Sequence, residues 1–171
     1  MIIIGFDPGT RFCGYGIIQS DKRKVLAAGC DVIKLNTKLK LSGKLAELFK
    51  EISSVLNEYK PDIVAVETIF YGKNVQSSIT LAHARGVILS ACALSGIKVY
   101  EYSPREVKKA VTGNGNGNKT QVRSMIQKII GLKEPITSED ASDALSIAYT
   151  HFNKVKFGNL NLLDEGYARE T

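Results

Sequence analysis

The chain has 171 residues, 44% of them hydrophobic and 23% charged, a balance that fills a core and excludes a disordered tail or a low-complexity polymer. That length is read as one domain with at most a short tail. Lys and Arg number 23 against 17 Asp and Glu, a net charge of +6.

The position of that charge says more than its total. Eight bases (Lys98, Arg105, Lys108, Lys109, Lys119, Arg123, Lys128, Lys133) and two acids (Glu101, Glu106) fall between Lys98 and Lys133, so one contiguous stretch carries the whole excess. A polyanion is the natural partner of such a stretch, although a solvated helical face gives the same count. No uninterrupted run of about 18 apolar residues occurs, so no segment is expected to span a membrane. The opening Met1-Ile2-Ile3-Ile4 is too short for a signal h-region. Cys13, Cys30 and Cys92 make an odd set without metal-type spacing, which reads as reduced thiols in a cytoplasmic protein.

In chain order, Ile2 to Asp7 is an apolar strand closed by Pro8-Gly9-Thr10. Gly14 to Gln19 and Val25 to Leu35 are the next strands, and the short connections imply an antiparallel meander. Leu41, Leu45, Leu48, Ile52, Val55 and Leu56 recur at helical spacing over residues 40–59, and Pro61 stops that helix. Ile63-Val64-Ala65-Val66 is a buried strand ending at Glu67, and a helix between two strands implies a crossover to a parallel neighbour.

Val75 to Ser95 is a helix apolar almost all round, which calls for a deep core or a second subunit packed on it. Lys98 to Tyr102 is a fifth strand. Ser103-Pro104-Arg105-Glu106 is a capped helix start leading to Thr112, and a Gly/Asn-rich loop follows from Gly113 to Asn118. Lys119 to Ile130 is a basic helix stopped by Gly131, and a last helix runs from about Ser138 to Phe152. The order implies a five-stranded mixed sheet with helices on both faces, an α/β architecture.

Asp7 and Glu67 each end an apolar strand. A lone acid there is usually a turn former, but two at the carboxyl ends of parallel neighbours share the sheet edge where sites form. Asp140 and Asp143 share one face of the last helix. Capping by Thr137 and the helix dipole account for Asp140, and for Asp143 only weakly. Four acids with no His or Cys partner select Mg²⁺ or Mn²⁺, and two such ions about 4 Å apart suit phosphodiester cleavage. His83 and His151 lack metal spacing and read as structural.

These residues resemble the RuvC family of Holliday-junction resolvases. The resemblance is carried by Gly5-Phe6-Asp7-Pro8-Gly9-Thr10 with Gly14-Tyr15-Gly16, and by Glu67-Thr68-Ile69-Phe70 with Lys73-Asn74 and Ala84-Arg85-Gly86. Val107-Lys108 with Gly117-Asn118-Lys119-Thr120-Gln121-Val122 forms a third block, and Asp140-Ala141-Ser142-Asp143-Ala144-Leu145 a fourth. The blocks fall in the family's order, and only the Gly/Asn repetition before Lys119 departs from its usual sequence.

The resemblance implies an RNase H-like nuclease domain over residues 1–153 with a tail at 154–171. It implies a homodimer, packed through the helix at about 75–95, that makes Mg²⁺-dependent nicks in two opposed strands of a four-way DNA junction. Asp7, Glu67, Asp140 and Asp143 stand at the positions of the catalytic metal ligands, and Lys119 stands near the scissile phosphate. Phe70 stands where an aromatic meets unstacked bases. Lys73, Arg85, Lys108, Lys109, Lys119 and Arg123 are the expected DNA contacts, and a branch-migration complex of RuvA and RuvB is the expected partner. The competing readings are a YqgF-like nuclease acting on RNA, an actin-like ATP-binding protein (for which 171 residues are too few) and a non-catalytic junction-binding module.

Overall fold

The structure, a computed structural model, describes residues 1–21, 23–68 and 75–158. Five strands and five helices follow one another as β1 (Ile2–Asp7), β2 (Phe12–Ser20), β3 (Val25–Lys34), α1 (Leu41–Tyr59), β4 (Ile63–Glu67), α2 (Val75–Leu94), β5 (Lys98–Tyr102), α3 (Pro104–Thr112), α4 (Lys119–Ile130) and α5 (Glu139–Lys156). The sheet order is β3-β2-β1-β4-β5. β1, β2 and β3 form the antiparallel meander, and β4 pairs in parallel with both β1 and β5. This is the mixed five-stranded sheet that the order of elements implies.

Alternation along the strands divides the core in two. Ile4, Phe6, Val64 and Val66 pack with Leu48 and Ile52 of α1 and Ala84 and Ile88 of α2. On the opposite face Ile3 and Ile18 pack with Leu145 and Ala148 of α5 and Val122 and Ile126 of α4, while Ala65 meets Ile147 of α5. Asp7 keeps step with Ile3, and Glu67 with Ala65, so both carboxylates leave the sheet on the α5 side.

α5 lies unusually close to that face because glycines pave it. Gly5 and Gly16 are cross-strand partners, and Gly14 is opposite Asp7. A Cβ at Gly5 would lie 2.5 Å from the Ala148 backbone nitrogen, one at Gly14 would intrude on the Asp140 carbonyl oxygen, and one at Gly16 on the Leu145 Cα. The sequence alone gives these glycines no role, because the helix they admit is far along the chain.

Helix boundaries follow local chemistry. Ser103 and Glu106 close the expected capping box at α3. A second box, Asn118 with Gln121, starts α4, and the pattern Asn-x-x-Gln is its signal in the sequence. Ser138, not Thr137, caps α5 by accepting from the Ala141 N–H. α5 also continues to Lys156, four residues past the expected end at Phe152 and across the expected domain boundary. α1 stops at Lys60, whose left-handed φ of 45° precedes Pro61.

α2 keeps one buried stripe of Ala84, Ile88, Ala91 and Cys92. Val75 (64% exposed), Ile79, Leu81 and Leu94 (74%) face outward. By length and mean hydropathy (1.3), α2 is the one described helix long and apolar enough to cross a membrane, contrary to the expectation that no segment would. Cys13, Cys30 and Cys92 are all free thiols, as their count and spacing predict.

Candidate active site

The β1–β4 ladder pairs Phe6 with Val66, so the next step sets Asp7 beside Glu67 at the carboxyl edge of the sheet. The N-terminal end of α5 lies over this edge, as the crowding between Gly14 and Asp140 shows. Asp140 belongs to the first turn of α5, and Asp143 follows three residues on. All four acids are half-buried. Three separate elements, β1, β4 and α5, thus bring one set of carboxylates together, as the sequence predicts.

Electrostatics show how closely they are set. Burial, followed by repulsion from Asp143, Glu67 and Asp140, pushes the Asp7 carboxyl up to about 8. Burial and Asp143 push Glu67 up to about 7, against the pull of Lys119 and Lys108. Burial also raises Asp143, although Lys119 opposes it with its Nζ 3.3 Å from Asp143 Oδ2. The same carboxylate raises the Lys119 ammonium, which is 67% exposed. Mutual repulsion of this kind is relieved by a proton or a cation.

The donor set fits a hard divalent cation, being all carboxylate oxygen. Among the described residues no three His, Cys, Asp or Glu side chains already form a closed metal cage. The fit therefore rests on donor chemistry and on the shared repulsion. Cys13, beside Asp7, is no nucleophile, since burial and then Asp7 push its thiol up to about 12.

The basic residues divide by location. Lys119 and Arg123, one turn apart on α4, face the start of α5, and Lys108 on α3 is near enough to act on Glu67. Lys109, the next residue, is exposed on α3. Arg85 is not brought to the acids. It is on α2, across the sheet, in an ion pair of 2.5 Å with Glu101 of β5. Phe70 and Lys73 lie outside the described residues.

Glu139 is a neighbour that the sequence analysis does not single out. Its carboxylate pairs with Arg123 at 2.8 Å and reaches Lys119 at 4.0 Å. The signal was available: an acid directly before Asp140, opposite bases spaced i, i+4. The Gly/Asn-rich loop adjoins a cleft of about 550 Å³ lined by Thr112, Asn114, Thr120 and Ser124 among others, next to Lys119.

A family model described as crossover junction endodeoxyribonuclease RuvC matches residues 3–151, from β1 through most of α5. This chain belongs to the RuvC family. A RuvC from Syntrophomonas wolfei is 43% identical over 159 residues, covering 93% of this chain and 92% of the relative. The solved structure of Thermus thermophilus RuvC aligns with a TM-score of 0.82 at 30% identity, covering 92% of this chain and 97% of that one. T. thermophilus RuvC in complex with Holliday junction substrate aligns at 0.79 and 29% identity, covering 92% and 96%. The RNase H-like fold of RuvC is therefore the fold described above, and the RuvC match contains all four acids.

Proposed function

We propose that this protein is a crossover junction endodeoxyribonuclease that resolves four-way DNA junctions by nicking two opposed strands. The observation that carries this reading is the set of four half-buried carboxylates from β1, β4 and α5, next to the basic face of α3 and α4. Acids beside a polyanion's path are repulsive unless cations neutralise them, so a module that only binds DNA has no use for them. Nucleases of the RuvC family depend on divalent metal. For this chain the ion is Mg²⁺, with Mn²⁺ as a substitute, and two ions serve the cleavage.

Asp7, Glu67, Asp140 and Asp143 hold the ions, with Asp7 central because all three other acids act on it. The bound ions supply Lewis-acid activation of water and charge neutralisation at the scissile phosphate. Lys119, tethered to Asp143 but largely exposed, is placed to steady negative charge on the phosphate. Lys73, Lys108, Lys109 and Arg123 neutralise flanking phosphates. Phe70 stacks on a base unpaired at the crossover.

A second copy of the chain packs on the outward apolar residues of α2. A two-fold dimer presents two sites to two strands of a two-fold junction. Branch-migration proteins of the RuvA and RuvB type are its partners, and the cytoplasm, where free thiols persist, is its location. Cleavage of a labelled four-way junction beside the matching linear duplex, with and without Mg²⁺, tests the reading.

A further inference from the structure

Four acids on three elements are useful only if the elements keep their spacing, and one buried contact ties α5 to β5, the strand that pairs with β4. His151, fully buried on α5, is two turns beyond Asp143, on the same face as Asp143 and Ile147. Its Nδ1 shares a hydrogen bond of 2.7 Å with the Tyr102 hydroxyl of β5, and the Tyr100 ring packs against it at 4.6 Å between centroids. Its Nε2 has no hydrogen-bond partner among the described residues, so Tyr102 supplies the ring's directional restraint.

Tyr102 is tied to the other carriers of the site as well. It pairs with Glu67 in the β4–β5 ladder. Its carbonyl oxygen accepts from the Thr68 N–H at 2.8 Å and from Thr68 Oγ1 at 3.4 Å, fixing the backbone directly after Glu67. Lys154 Nζ lies 4.6 Å over the Tyr102 ring and 2.8 Å from Glu106, whose capping box starts the helix that carries Lys108. The ring thus touches α5 twice, and its own strand leads into α3.

We propose that Tyr102 and His151 are positioning residues for the acidic site: their buried hydrogen bond fixes α5 against the β4–β5 edge and so sets the spacing of Asp143 from Glu67. The proposal rests on the reading of these acids as metal ligands. Apolar packing and the glycine contacts of β1 and β2 hold α5 on the sheet, and the buried hydrogen bond adds a directional restraint at the β5 edge, which those glycines do not reach. Burial, and then Lys154, lower the imidazole to about 4, so the ring is neutral at working pH and the bond does not depend on charge.

The test uses the full chain and Mg²⁺ alone as probe. Tyr102→Phe keeps the ring, its packing and the carbonyl that holds Thr68. His151→Leu removes the bond from the other side, and His151→Asn restores a hydrogen-bonding group where Nδ1 stands. Two readouts are taken well below unfolding: the Mg²⁺ midpoint for thermal stabilisation and the Mg²⁺ midpoint for junction cleavage.

Tyr102→Phe and His151→Leu are expected to raise both midpoints at least fivefold, with junction affinity within twofold of the parent, and His151→Asn to restore them. Unshifted midpoints in the first two variants, whatever their stability, would overturn the proposal, as would His151→Asn behaving like His151→Leu. If Tyr102→Phe does not fold, the contrast between the two His151 variants decides. A parent protein that cuts junctions only with Mg²⁺ keeps the functional reading whatever the variants do. One that neither binds Mg²⁺ nor cuts removes both.

Discussion

Replacing Asp7 with Asn tests whether the site is an arrangement strained by its own charge. The Asp7 carboxyl moves from an ordinary 3.8 to about 8 on folding, first through burial and then through Asp143, Glu67 and Asp140. A tenfold change in proton affinity is about 1.4 kcal/mol, so the move from 3.8 to about 8 bounds the cost near 6 kcal/mol. The side chain is half-buried and water screens part of this, so about 2 kcal/mol is the expected gain on neutralising it at pH 8. In a domain of this size that raises Tm by about 4–8 °C.

The sign follows from linkage. A carboxyl whose folded value is raised contributes fully below its unfolded value, and that contribution is lost as pH rises through the folded one. The Asp7→Asn advantage should therefore be smallest near pH 4, widen up to pH 8 and then level off. Thermal unfolding without metal, from pH 5 to 9, measures it. The same variant should keep junction affinity and lose cleavage and most of the Mg²⁺-induced rise in Tm. A variant less stable than the parent at pH 8, or a gap independent of pH, would refute the reasoning.

Other expectations concern the surroundings of the site. Gly14→Ala forces a Cβ into the Asp140 carbonyl. It should cost about 1–3 kcal/mol by overpacking and reduce cleavage more than junction binding, as denaturant titration beside gel-shift and nicking assays would reveal. Junction affinity should fall steeply with salt, with a log–log slope reduced by about one in Lys108→Ala, and a flat response would contradict phosphate neutralisation by the basic face. Arg85→Ala should change junction affinity less than twofold, because Glu101 already holds that guanidinium across the sheet. Ile79→Glu, on the outward side of α2, should shift sedimentation from dimer to monomer, and an unchanged dimer would place the interface elsewhere.

The strands and helices were legible because each carries its own local signal. β1 and β4 are uninterrupted apolar runs ending in acids, and Ser103 to Glu106 closes its box within four residues. The pairing of Asp7 with Glu67 was legible because a helix between two strands implies a parallel crossover. What the sequence hides is whatever depends on distant packing. Gly5, Gly14 and Gly16 matter only through a helix more than 100 residues away, and the cap of α5 falls on Ser138, one residue past the Thr137 that the sequence suggests. Arg85 reads as a DNA contact, yet Glu101 of the next strand takes its charge. The bond between Tyr102 and His151 joins residues with no shared motif, so the sequence marks Tyr102 only as the end of a strand and His151 only as a structural histidine.

The central claim is that four carboxylates and a basic face make a metal-dependent junction nuclease. Its most direct measurement is strand cleavage of an end-labelled immobile four-way junction against the matching linear duplex, with and without Mg²⁺. The account predicts paired, symmetric nicks in two opposed strands of the junction alone, absent without metal. Cleavage that ignores the junction, or that proceeds equally without metal, would contradict it.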